Sequence, residues 1–179
     1  MIFRELEIPG VYLLEPEKKS DSRGFFARTY CRQELEDHDL DPTVVQCNVS
    51  VNQRKGTVRG MHWQAAPNEE IKLVRCTGGA LYDVVLDLRP DSPTFKKHVG
   101  VELTRENRNA LYIPAGCAHG FQTLEDDTEV FYQMSDFYYP ESARGVRWND
   151  PAFDISWPLP ISIIADKDLA FADFEPAEG

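Results

Sequence analysis

The stretch TVRGMHWQ, residues 57–64, sets His62 in a run that otherwise reads as a strand, with Arg59 three residues earlier and Gly60 between them. A histidine in that setting serves as a metal ligand, as a proton-transfer base, or as a hydrogen-bonded part of the interior. Base chemistry makes the most demands on the rest of the chain. Removing a carbon-bound proton calls for a group with a pKa near the operating pH, which imidazole has without much tuning. The base needs a carboxylate to fix its tautomer. The enolate it creates needs a nearby cation or donor, and an acid must return the proton. Lys72, Tyr132 and several aspartates are residue types suited to those tasks. Spacing alone does not make them converge, and a lone histidine in a strand is more often structural.

The elements that must position these residues are strands. Runs at 11–16, 25–30, 44–52, 57–64, 71–77, 79–89, 97–104, 110–114, 120–124, 128–135, 144–148 and 153–158 alternate or cluster apolar residues between Gly, Pro, Asn and Asp. Residues 32–40, RQELEDHDL, read as a helix, and a second short helix follows Asp166. Strands at this spacing imply a sandwich or barrel. No repeat, low-complexity tract or linker divides the 179 residues, so a single domain over 1–179 is expected, with the terminal FEPAEG frayed. Alternation in VVQCNVSVN puts Gln46, Asn48 and Ser50 on one face and Val45, Cys47, Val49 and Val51 on the other. The polar face is either a solvated exterior or the lining of a ligand-holding barrel. In TEVFYQMS, Tyr132 shares a face with Val130 and Met134, which places a hydroxyl in an inward apolar row.

Composition narrows the partners. A hydrophobic content of 42% and a charged content of 27% are those of a soluble globular chain. The net charge of −11 argues against nucleic acid held by a general basic field. Arginines that bind an anion must act locally, on a specific small molecule. The start MIFRELEIPG has no apolar export core, and no run of apolar residues is long enough to span a membrane. Cys31, Cys47, Cys76 and Cys117 are widely spaced and fit a reduced, cytoplasmic setting. No G-x-G-x-x-G follows a strand and no phosphate loop is present, so no cofactor is expected.

Two fragments, GTVRGMHWQ and IPAGCAHGF, resemble the paired motifs of the cupin superfamily, whose fold is a double-stranded β-helix, a jelly-roll barrel. Metal-binding cupins carry a second histidine two residues after the first. Here that position is Gln64, leaving His62, His119 and an ill-placed Glu69, so no metal is expected. The blocks DSRGFFART, VVQCNVSVN, GTVRGMHWQ, EIKLVRCTGGALYDVVLDLRPDSPTF, LYIPAGCAHGFQTL, YQMSDFYYP, RGVRWNDPAF and ISWP…ADKD occur in this order. Together they resemble the dTDP-4-dehydrorhamnose 3,5-epimerase family, a metal-free branch of the cupins, over nearly the whole chain. The expected fold is therefore all-β, a cupin-type barrel with a few short helices.

The resemblance implies a nucleotide-diphosphate 4-keto-6-deoxyhexose as substrate, with inversion at C3 and C5. It implies His62 as base, Asp168 as the carboxylate that orients it, Lys72 beside the enolate oxygen and Tyr132 as acid. It assigns Arg23 and Arg59 to the diphosphate, suited by their forked donors, and Gln46, Asn48 and His119 to substrate contact. Tyr138 becomes the platform on which the pyrimidine stacks. In a regular strand Arg59 and His62 point to opposite faces, so one ligand can meet both only if the strand bulges, and Gly60 is where the bulge belongs. Asp83, in YDVVLD, is a rival partner for His62. The family commonly has glutamates where this chain has Arg28 and, nearby, Ala143, at the nucleotide end of the site. A CDP-sugar, inversion at only C3 or only C5, and a non-catalytic sugar-nucleotide-binding cupin are the alternatives. A homodimer is also implied, with the strands before residue 30 exchanged across the interface.

Overall fold

Period-two alternation requires each sheet of this chain to bury one face, and two sheets satisfy that by closing on each other. The computed structural model describes residues 1–174. The first elements are β1 (Ile2–Glu5), β2 (Tyr12–Glu15), β3 (Lys19–Asp21), β4 (Gly24–Phe26), α1 (Arg32–Glu36), β5 (Gln46–Asn52), β6 (Val58–Gln64) and β7 (Lys72–Gly78). There follow β8 (Ala80–Asp87), β9 (His98–Thr104), β10 (Ala110–Ile113), β11 (Cys117–Thr123), β12 (Thr128–Met134), β13 (Ala143–Gly145) and α2 (Asp166–Leu169). One sheet runs β1-β2-β10-β7-β12-β5, the other β13-β6-β11-β8-β9, and β3-β4 is a separate hairpin. All the named strand pairs are antiparallel. The architecture is the all-β, cupin-like barrel with short helices that the sequence leads one to expect.

The main core lies between the sheets. Val74, Leu111, Ile113 and Val130 of one sheet meet Leu81, Val85, Leu103 and Phe121 of the other. Alternation sends Tyr82, Val84 and Leu86 of β8 to the opposite face, where residues 146–157 cover them through Val146, Phe153, Ile155 and Trp157. On the outside of the six-stranded sheet, Leu35 and Leu40 pack over Leu14, Leu73 and Tyr112. The barrel is thus apolar through its middle and covered over much of both outer faces.

Several expected elements differ. The helix read at 32–40 stops at Glu36. Asp39 takes a left-handed conformation, φ 57°, and the Leu40 N–H turns back to Leu35 O at 3.0 Å, which caps the helix and returns Leu40 to the cluster around Leu35. Residues 153–158 are not a strand. Asp154 is left-handed (φ 49°), and Trp157 Nε1 donates to Trp148 O at 2.8 Å, so the segment folds over the sheet instead of joining it. Of 25–30 only the first two residues pair, within the hairpin, and β13 ends at Gly145. β1 and β3 were not foreseen. Of the expected frayed tail, Phe174 is described and packs on Phe153, with centroids 5.1 Å apart. Residues 175–179 lie outside the described residues. Among the described residues no helix is long and apolar enough to cross a membrane.

Candidate active site

The polar face of β5 turns inward. Asn48 and Ser50 line a cavity of about 320 Å³ in the barrel, Val49 stands at its rim, Asn52 behind them is buried, and Val51 is 57% exposed on the outside. This is the reverse of an ordinary edge strand. It settles the choice left by the sequence in favour of a polar barrel interior.

β6 reaches the same cavity through a bulge. His62 pairs with His119 and Arg59 with Phe121, so three steps on β6 oppose two on β11. The extra residue puts Arg59 and His62 on one face, and both line the cavity. Gly60 holds the distortion. Its φ is +125°, and a Cβ there would lie 2.5 Å from the Cα of Gly120. The Gly60–Met61 peptide is cis. Arg59 is steadied by donation from Nε to Asn52 Oδ1 at 2.7 Å.

α2 closes over this wall. Its Asp168 is 1% exposed, with Oδ1 2.7 Å from His62 Nε2 and Oδ2 accepting the Gly60 N–H at 3.3 Å. Burial pushes the Asp168 carboxyl up, but the hydrogen bond and charge of His62, the Gly60 N–H and Lys167 outweigh it and hold the group below the usual carboxylate range. An ionised Asp168 accepts Nε2–H and leaves Nδ1 of His62 with a lone pair. The His62 side chain is 36% exposed, so the free nitrogen is within reach of a ligand.

The rival carboxylate has another task. Asp83 is fully buried and its Oδ1 lies 2.5 Å from His119 Nε2. His62 and His119, cross-strand neighbours, thus each have their own aspartate. Lys72, 7% exposed, donates from Nζ to His62 O at 3.0 Å and stands 2.9 Å from Glu70 Oε1. Tyr132, on β12, sits edge-on to His119 with centroids 6.1 Å apart. Burial holds its phenol well above the usual range, and the charge of Asp83 adds to this. Tyr132 therefore stays protonated at neutral pH, as an acid must.

His62, Lys72, Tyr132, Asp168, Asn48, Arg59 and His119 all surround the one cavity, Asp168 and Lys167 from α2 and the others from the barrel walls. Arg23, Gln46 and Tyr138 do not line it. Arg23 sits at the turn of the β3–β4 hairpin, its side chain 88% exposed and paired with Asp21. Gln46 begins β5 opposite Met134, and Tyr138 is exposed beyond β12. Arg28 pairs with Glu34 at 2.6 Å, and Ala143 lies opposite Gln64. The sequence reading missed Ser50, Glu70 and Lys167. Ser50 was legible from its shared face with Asn48, and Lys167 from its place beside Asp168. Glu70 had no signal, since NEE reads as a solvated acidic run. It is Glu70, not Glu69, that turns inward. Among the described residues no three His, Cys, Asp or Glu side chains form a metal-holding group.

The fold is that of the cupin-like barrels, with a cavity of acidic and basic side chains inside it, and the family the chain falls in consists of isomerases that act on sugar nucleotides. A profile of the family described as dTDP-4-dehydrorhamnose 3,5-epimerase matches residues 5–175, and the chain belongs to that family. A relative of that name from Sinorhizobium fredii is 43% identical over 94% of this chain and 87% of its own length. The crystal structure of the Bacillus anthracis dTDP-4-dehydrorhamnose 3,5-epimerase, with TDP and PPi bound, superposes with a TM-score of 0.93 at 40% identity, covering 97% of this chain and 99% of that one. The Legionella pneumophila enzyme in complex with dTDP-4-keto-L-rhamnose gives a TM-score of 0.88 at 35% identity, covering 95% and 90% of the two chains.

Proposed function

We propose that the protein inverts C3 and C5 of a nucleotide-diphosphate 4-keto-6-deoxyhexose, converting dTDP-4-dehydro-6-deoxy-D-glucose to dTDP-4-dehydro-L-rhamnose. The observation that carries this is the 2.7 Å contact between cavity-facing His62 and buried Asp168, with Lys72 and Tyr132 on the walls of the same cavity. The 4-keto group acidifies the hydrogens on both neighbouring carbons, so one base serves both. Nδ1 of His62 takes the proton, and the C–H electrons move into the C4 carbonyl to give an enolate. Lys72 donates a hydrogen bond to its oxygen. Tyr132 then gives its proton to the carbon from the opposite face, and solvent returns the phenol and the imidazole to their starting states. Repetition at the second carbon completes the reaction.

Asp168 keeps the tautomer that leaves Nδ1 basic. Arg59 binds the diphosphate, and Asn48 and His119 hold the sugar. The working unit is a homodimer. Arg23 is displayed on a hairpin that pairs with neither sheet, and Val45 and Val51 expose apolar side chains along the β5 edge of the six-stranded sheet. Arg23 and Tyr138 belong to the nucleotide end of the site in that assembly, with Gln46 at its edge. The four free cysteines, Cys47 exposed among them, suit the reducing cytoplasm.

The test is solvent deuterium incorporation into dTDP-4-keto-6-deoxyglucose in heavy water, read by NMR for wild type and His62→Ala. Label at C3 and C5 is expected in wild type, and none above background in the variant. Label at one carbon alone would make the protein a single-centre epimerase. No label from folded wild type would remove the catalytic reading in favour of a sugar-nucleotide-binding protein.

A further inference from the structure

Glu70 takes part in none of these steps, yet its side chain is only 8% exposed and sits on the cavity wall. Its neighbour Glu69 is exposed, as an acidic residue in a surface run should be. A carboxylate and an ammonium removed from water together gain little net stability, so the placement asks for another explanation. Lys72 supplies one. Its ammonium has three tetrahedral N–H donors. One goes to His62 O at 3.0 Å, on β6, and the Glu70 carboxylate, just before β7, stands 2.9 Å from Nζ as an ion-pair partner. The carbonyl and the carboxylate, on different segments, hold the ammonium between them, at a place where Lys72 lines the cavity.

We infer that Glu70 is a positioning residue for Lys72, holding the ammonium of a flexible side chain at one point of the cavity wall. The inference rests on the reading of Lys72 as the group beside the enolate oxygen. A donor that is already in place needs no reorganisation when charge develops. A loosely held lysine would still attract the anionic substrate, so the loss of Glu70 falls on the chemical step and not on binding.

The variants Glu70→Leu, Glu70→Gln, Lys72→Met and the double variant Lys72→Met/Glu70→Leu separate the possibilities. Leucine keeps the volume and removes the acceptor, while glutamine keeps an acceptor oxygen and removes the charge. The readouts are kcat and KM for the sugar nucleotide and the Kd for dTDP. Glu70→Leu is expected to lower kcat on the order of tenfold, less than the ~10²–10³ of losing an oxyanion donor outright, with KM and the dTDP Kd within about twofold of wild type. Glu70→Gln, which lacks the charge that makes the pair, is expected to recover at most a minor part of the rate. In the Lys72→Met background the leucine substitution costs nothing further, because its effect passes through the missing lysine. An equal loss in both backgrounds, a loss confined to KM, or glutamine as fast as wild type would each overturn the inference, the first two by making Glu70 a sugar contact. Should Glu70→Leu not fold, Glu70→Ser takes its place. Wild type without turnover would instead refute the reaction itself, so the two failures are distinct.

Discussion

Buried aspartates divide the labour of this chain, and each is defined by what it touches. Asp168 orients one histidine and Asp83 the other. Asp87, on the same strand as Asp83, is fully buried and purely structural. It accepts from Arg89 Nε and Nη2 at 2.9 Å each, from Ser92 Oγ at 2.5 Å and from Thr94 Oγ1 at 2.7 Å. Burial pushes its carboxyl up, but these donors outweigh it and bring the group down to about 2. Because the folded value lies below the unfolded one of roughly 3.9, the contribution to stability is complete above that value. It is lost as pH falls through about 2. Its size is about 2–3 kcal/mol. Asp87→Asn should therefore lower the urea midpoint at pH 7 and show a shallower decline than wild type between pH 4 and pH 2. Parallel declines would deny Asp87 this role. The sequence held Asp83 and Asp168 in view as rival partners for His62 but could not say which histidine each would meet. That depends on which residue lies across the sheet and on where α2 returns, neither of which is encoded within a few residues of the aspartate.

Elements were legible where alternation was long and unbroken. The runs at 44–52, 71–77 and 128–135 correspond to β5, β7 and β12 to within two residues. Residues 153–158 looked no different, yet they pack as a loop, because their apolar side chains find a sheet face to cover and not an edge to join. β1, only four residues long and mostly exposed, carries little signal and exists because β2 offers it an edge. The bulge in β6 is the case in which reasoning about function located an element's irregularity. If Arg59 and His62 are to share a ligand, the strand must bulge between them, and the register shift falls there, with Gly60 at φ +125°. Gly60→Ala tests how much the bulge matters. Gly60 and Gly24 have nearly equal φ, 125° and 129°, but a Cβ at Gly24 meets nothing within 4 Å. Both alanine variants bear the backbone cost of roughly 1–3 kcal/mol, and only the one at Gly60 must also push Gly120 away. Gly60→Ala should melt lower than Gly24→Ala and lose most of its turnover. Equal melting temperatures would mean that the β6–β11 contact relaxes freely.

For the molecule as a whole, the question is why a single barrel leaves so much of its own equipment outside. The cavity holds the acid–base residues, but Arg23 is held out on a hairpin by an ion pair with Asp21 alone. Beside it Phe26 is 74% exposed, and on β5 the apolar alternate residues face water. An isolated domain gains nothing from these exposures, whereas the proposed symmetric pair would cover them and bring one chain's hairpin to the other's cavity. The sequence could suggest an exchange of the first strands but could not show that the hairpin would pair with neither sheet, because that is a property of the closed barrel. The arrangement predicts complementation between subunits. Arg23→Ala and His62→Ala proteins should each be weakly active or inactive alone. Mixed in equal amounts and allowed to exchange subunits, half the dimers combine one chain of each kind. Each such dimer has one cavity lacking both groups and one with both intact, so activity should rise toward about a quarter of wild type. Light scattering should report two chains per particle throughout. If the mixture stays as inactive as its parents after proven exchange, Arg23 serves the cavity of its own chain, and the hairpin must fold back to reach it.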